Sequence, residues 1–121
     1  MSLCIAAGAL LLATIAGDGF ELRWTHSVER TEWRELWTLT PAGLVFVEGS
    51  VAGSGAGIDI PEGAVLRAGR WHYRRDLAVA DLLLPDSAYS APLAICPRGL
   101  ACRPLPPRPD PAEPYRLAPC R

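Results

Sequence analysis

Phe20–Thr40 reads FELRWTHSVERTEWRELWTLT, and how this stretch is read decides the fold. Phe20, Leu22, Trp24, His26 and Val28 alternate with Glu21, Arg23, Thr25 and Ser27, the period of a half-buried strand. A second run sets Trp33, Glu35, Trp37 and Leu39 against Arg34, Leu36, Thr38 and Thr40. Glu29, Arg30, Thr31 and Glu32 lie between the runs and suit a four-residue hairpin loop. A turn centred there pairs Val28 with Trp33, His26 with Glu35, Trp24 with Trp37, and Leu22 with Leu39. A slip of one residue would break every one of these pairs. A helix competes, because Trp33, Leu36 and Trp37 also have helical spacing. The preceding run decides for strands: its period is two and it is rich in β-formers.

This pattern puts His26 and Glu35 on an otherwise apolar face. An isolated imidazole or carboxylate is costly to bury, so the simpler reading is a structural pair in which each satisfies the other. The sharper reading is a binding or acid–base site, with Ser27, Glu29 and Arg30 at its rim, since buried titratable pairs gather at such sites.

A length of 121 residues bounds the chain to one small domain. Half the residues are hydrophobic, which argues against disorder. The net charge is −1 and the basic residues are dispersed, which argues against a nucleic-acid partner. All twelve basic residues are Arg, and Lys, Asn and Gln do not occur. That bias lowers the information carried by Ala, Pro and Arg, but it does not explain three tryptophans in one hairpin.

Leu3–Ala16 (LCIAAGALLLATIA) admits two readings. One is a secretion signal with Ala16 at a cleavage point, too short to span a bilayer. The preferred one is two buried strands, Leu3–Ala7 and Ala9–Ile15, turning at Gly8. Pro41-Ala42-Gly43 marks a turn, and Leu44–Val51 a further strand with Leu44, Phe46 and Glu48 on one face. Gly53-Ser54-Gly55-Ala56-Gly57 fits neither the dinucleotide fingerprint nor a phosphate-binding loop, so no cofactor is expected. It is a tight or flexible loop, or one whose bare N–H groups approach an anion. Ala64–Leu66 and Arg70–Tyr73 form a hairpin around Ala68-Gly69, with Trp71 and Tyr73 inward and His72 at the surface. Leu77–Leu84 is a strand or short helix. Ser87–Cys96, interrupted by Pro92, is the last regular strand and lies at an edge.

The four cysteines lack zinc spacing, so no metal site is expected. A disulfide framework fits better and favours an oxidising compartment. The preferred bonds are Cys96–Cys102 and Cys4–Cys120, with Cys102–Cys120 the main rival. Residues 1–103 form the β-domain. Residues 104–121 form a Pro-rich tail, extended and largely irregular, with seven prolines from Pro104 to Pro119.

The run Phe20–Trp37, with THSVERTEWRELW at its centre, resembles a bacterial family catalogued as domain of unknown function 1850. Gly53-Ser54-Gly55-Ala56-Gly57 after the next strand and the Cys4-Ile5 pair fit the same family. The resemblance covers most of residues 3–73. It implies a gene neighbourhood shared with TAXI-type TRAP transporters, and an exported, periplasmic or envelope-associated protein. It brings no catalytic residues, because the family has no established reaction.

The pattern of many short strands with frequent turn signals implies an all-β fold, an antiparallel sandwich or partly open barrel of about seven to nine strands. Two functions follow as expectations. The first is a non-enzymatic accessory module of a TAXI-type TRAP transporter that binds a small anionic ligand, an organic acid, with no membrane span of its own. Its site would comprise His26, Ser27, Glu29, Glu35, Ser54, Gly55 and Gly57. The second is a small hydrolase or isomerase using His26 as base and Glu35 to orient it. The second lacks a nucleophile in place, since Ser27 falls on the opposite face from His26 and Ser54 sits on a loop.

Overall fold

The computed structural model describes residues 1–25, 31–52, 60–84 and 93–121. Twelve strands and no helix occur among them: β1 (Ser2–Ala7), β2 (Leu10–Ala16), β3 (Gly19–Thr25), β4 (Glu32–Thr40), β5 (Gly43–Ala52), β6 (Val65–Arg67), β7 (Arg70–Tyr73), β8 (Ala78–Val79), β9 (Leu82–Leu84), β10 (Ala94–Pro97), β11 (Arg103–Pro104) and β12 (Tyr115–Pro119). They form two antiparallel sheets, packed as an open sandwich rather than a closed barrel. The smaller sheet has the order β2-β1-β12-β9. The larger runs β11-β10-β3-β4-β5-β7-β6, with β8 added beside β5.

The expected all-β sandwich is therefore present, and its first two strands are the β1–β2 hairpin. Leu3, Ile5, Ile15 and Leu117 from the smaller sheet meet Phe20, Leu22, Trp37, Leu39, Leu44, Phe46, Tyr73 and Ile95 from the larger one in a single core. Burying each such side chain stabilises the fold by roughly 1.5–3 kcal/mol. Trp37, only 1% exposed, is the largest of them.

The central hairpin forms, but its register differs from the expected one. Trp24 opposes Trp33, Leu22 opposes Glu35 and Phe20 opposes Trp37. Of the expected loop residues, Glu32 opens β4, while Glu29 and Arg30 lie outside the described residues. Moving each strand by two residues leaves every side chain on its expected face, so alternation alone cannot tell the two registers apart. In the observed one the Trp24 and Trp33 rings stack, with centroids 6.4 Å apart and an interplanar angle of 9°.

The pairing of β5 with β4 shifts between Leu36 and Trp37, so that Trp37 opposes Phe46 but Leu36 opposes Glu48. Val47 is the extra residue of a β-bulge, which reverses the facing of everything after it. Glu48, expected beside Phe46, is thereby turned to the outer face, where Arg67 Nη2 donates to its Oε1 at 2.8 Å. Gly49 takes the inner position.

Leu77–Leu84 divides into two short strands that join different sheets: β8 pairs with β5 and β9 with β12. The 104–121 segment, expected to be largely irregular, ends in β12, which lies between β1 and β9. Most of the prolines precede this strand, and Leu117 within it is fully buried. Disulfides join Cys4 to Cys120 and Cys96 to Cys102. Two disulfides in so small a chain indicate an oxidising, extracytoplasmic location. No helix among the described residues is long and apolar enough to cross a membrane.

Candidate functional site

One row of the larger sheet runs Ile95–Leu22–Glu35–Gly49–Tyr73 across β10, β3, β4, β5 and β7. It places a carboxylate in the middle of an inner, apolar face. Glu35 receives a hydrogen bond from Trp37 Nε1 at 3.3 Å. This donor sits two residues along the same strand, so the indole that fills the core also solvates the acid.

Gly49 separates Glu35 from Tyr73, and its missing side chain is what the site requires. A Cβ there would lie 2.3 Å from Tyr73 Cζ and 2.5 Å from its hydroxyl oxygen. The phenol therefore lies across Gly49 on the Glu35 side of the row. Its ring meets Trp33 edge-on, with centroids 6.4 Å apart, and stacks against Phe46 at 6.1 Å. The Arg75 guanidinium sits over the other part of this wall, 5.4 Å from the Tyr73 centroid, in cation–π geometry. No carboxylate among the described residues lies within ion-pair distance of Arg75.

The electrostatics follow from this packing. Burial pushes the Glu35 carboxyl above the usual carboxylate range, against the opposing pull of the Trp37 N–H and the Arg75 charge. Burial likewise raises the Tyr73 phenol, the Glu35 charge raises it further, and Arg75 opposes both. The result is a half-buried acid and a buried phenol among Trp33, Trp37 and Phe46, with the exposed Arg75 guanidinium over the phenol ring.

The family model for a domain of unknown function, DUF1850, matches residues 20–103. The chain belongs to that family. The DUF1850 span takes in β3 through β10, and with them Glu35, Gly49, Tyr73 and Arg75, while β1, β2 and β12 of the smaller sheet lie outside it. No curated protein and no solved structure matches the chain.

Of the site residues expected from the DUF1850 sequence, Glu35 is described and half-buried. His26, Ser27, Glu29, Arg30, Ser54, Gly55 and Gly57 lie outside the described residues. The expected cross-strand partner of Glu35 was His26. The residue opposite it is Leu22, and the donor that serves it is Trp37.

The alternation places Tyr73 inward without giving it a site role, and no sequence pattern singles out Arg75. A glycine interrupting a strand, as Gly49 does, signals a close approach by another group, and that signal was available. His72, read as a surface residue, is on the outer face but is mostly covered. Its Nδ1 lies 3.6 Å from Glu48 Oε2, too far for a hydrogen bond, and is buried with no hydrogen-bond partner among the described residues. Among the described residues Trp71 Nε1 also has none.

The outer face carries a second charged group of residues. Arg70 spans from β7 to β4, donating to Ser50 Oγ at 3.0 Å and to the Glu32 carbonyl at 3.0 Å. Arg34 pairs with Glu32 at 2.6 Å, and Arg23 with Glu21. Each of these guanidiniums is engaged: Arg34 and Arg23 pair along their own strands, while Arg70 ties β7 to β5 and β4, which leaves the inner face around Glu35 as the candidate site.

Proposed function

We propose that this DUF1850 protein is a non-enzymatic periplasmic accessory of a TAXI-type TRAP transporter, and that it binds a small organic acid at Arg75, beside the Tyr73 ring. The observation that carries the binding role is the Arg75 guanidinium, held over an aromatic ring with no carboxylate among the described residues within ion-pair distance. A fork of N–H donors fixed in this way suits a carboxylate. The aromatic wall offers apolar surface to the remainder of such a ligand, the usual division of labour in a small-molecule site. The family resemblance supports the transporter association, and the two disulfides are consistent with export.

The test is titration calorimetry of the oxidised protein with benzoate, butyrate and succinate. Saturable binding of at least one is expected, weakened about tenfold or more in Arg75→Gln, as loss of a charge-assisted hydrogen bond implies. Absence of binding by all three, or equal binding by the variant, would overturn the reading. Co-purification of TRAP components with the tagged protein from its native envelope tests the association.

A further inference from the structure

The outer edges of a sheet carry unpaired N–H and C=O groups, and folded proteins blunt such edges with shortness, charge or proline. Every free-edged strand but one is blunted in this way among the described residues. β11 is the dipeptide Arg103-Pro104, β8 has two residues, and β6 and β9 have three each. The exception is β2, at the end of the smaller sheet. Leu10–Ala16 is seven residues long and reads LLLATIA, with no charge, proline or glycine. Among the described strands only β1 pairs with it. A bulge at Leu12 kinks its Leu10 end, but from Ala13 to Ala16 the ladder to β1 is regular.

The direction of the free groups follows from that ladder. Gly17 N–H donates to the Met1 carbonyl at 2.9 Å. Ile15 opposite Leu3 and Ala13 opposite Ile5 continue this hydrogen-bonded series by alternation. The N–H and C=O groups of Thr14 and Ala16 therefore point away from β1, along the open edge. Leu10 and Leu11 on the same strand are 49% and 55% exposed. A row of free backbone groups is matched by another extended strand. Charge narrows what that strand is. β2 has no side chain to attract a charged segment and none to repel its own copy. Antiparallel pairing of two copies sets the Asp18 end of one beside the Gly8 turn of the other. Asp18 already lies 3.6 Å from Arg98. At Gly8, Arg116 Nη2 donates to the carbonyl at 3.2 Å and the Glu113 carboxyl lies alongside. Both ends thus carry each sign of charge, and neither opposes the approach.

We propose that β2 pairs with β2 of a second copy of this chain, antiparallel about a two-fold axis perpendicular to the sheet, joining two four-stranded sheets into one continuous sheet. The contact is isologous, the form a closed dimer takes. Thr14 and Ala16 exchange hydrogen bonds with the partner's β2, and Leu10 and Leu11 are covered.

Sedimentation velocity of the oxidised full chain between about 5 and 500 μM tests the pairing, since such a dimer forms by mass action. The wild-type mass is expected to rise from one chain toward two across this range. Leu11→Lys sets a charge at an exposed position of the strand, and Thr14→Pro removes a donor that points away from β1. Each should hold the protein at one chain throughout, with the melting temperature at the lowest concentration unchanged. If Thr14→Pro fails to fold, Leu11→Lys carries the comparison. Hydrogen exchange should slow at Thr14 and Ala16 as the wild type is concentrated, but not at Ala13 or Ile15, which already bond to β1. A wild-type mass of one chain at every concentration, a dimer that Leu11→Lys leaves intact, or a dimer whose Thr14 and Ala16 amides exchange as fast as the monomer's would overturn the pairing. Protection of Thr14 that appears only when TRAP components are added would also overturn it, and would give the edge to a foreign strand.

Discussion

At the scale of single residues the inner face of the larger sheet holds a carboxylate where water is scarce. The fold favours the protonated form of Glu35, because burial outweighs Trp37 and Arg75. In the unfolded chain the group titrates near the ordinary carboxyl value of 4.5. Between that pH and its folded value, the folded state binds more protons than the unfolded state, so stability falls as pH rises and levels off above the folded value. Glu35→Gln removes this dependence. Its stability relative to wild type, read from urea midpoints, should therefore be greater at about pH 8 than at about pH 4, opposite to the trend of an ion-paired acid. An advantage that did not grow with pH would contradict the burial argument. Gly49 makes a complementary prediction. Gly49→Ala puts a methyl group 2.3 Å from Tyr73 Cζ, and the ring must turn away. A loss of about 1–3 kcal/mol is expected from urea unfolding, in the range of overpacking. Altered near-ultraviolet dichroism should accompany it.

At the scale of elements, the bulge at Val47 and the captured strand β12 do most to shape the protein. Alternation in Leu44–Val51 correctly brings Leu44 and Phe46 inward, but one extra residue in β5 reverses the remainder. Without it Glu48 would face the core and Gly49 would not lie between Glu35 and Tyr73. Whether a strand carries an extra residue depends on its partner, so periodicity within one strand could not reveal it. In the same way, faces could be read in β3 and β4 while the register could not, since shifting by two residues keeps every face. The tail gives the other element-scale test. Leu117 is fully buried although a proline-rich stretch leads up to it. Leu117→Ala should cost about 2–5 kcal/mol in chemical denaturation, the range for a core leucine. A cost below about 0.5 kcal/mol, typical of surface sites, would mean that β12 is not part of the core.

For the whole molecule, closure of the sandwich joins the two ends of the chain. Cys4 and Cys120 are 116 positions apart, whereas Cys96 and Cys102 are separated by 6. Loop-closure entropy makes the long bridge the more stabilising, at roughly 4–5 kcal/mol against about 2 for the short one. The Cys4→Ser, Cys120→Ser double variant should therefore lower the melting temperature more than Cys96→Ser, Cys102→Ser, as measured by calorimetry without reductant. The reverse order would show that local strain, rather than chain entropy, sets their contributions.

Alternation of side chains, turn residues and cysteine count are local properties, and from them alone followed the all-β class, the first hairpin, the inward and outward faces of β3 and β4, and the preferred disulfide pairs. Local patterns repeat every two residues and are silent about the strand alongside. Which residue lies opposite Glu35, where β5 takes in its extra residue, and that a glycine lets Tyr73 approach the acid were decided only when the sheets assembled, because each depends on contact between segments distant in the chain.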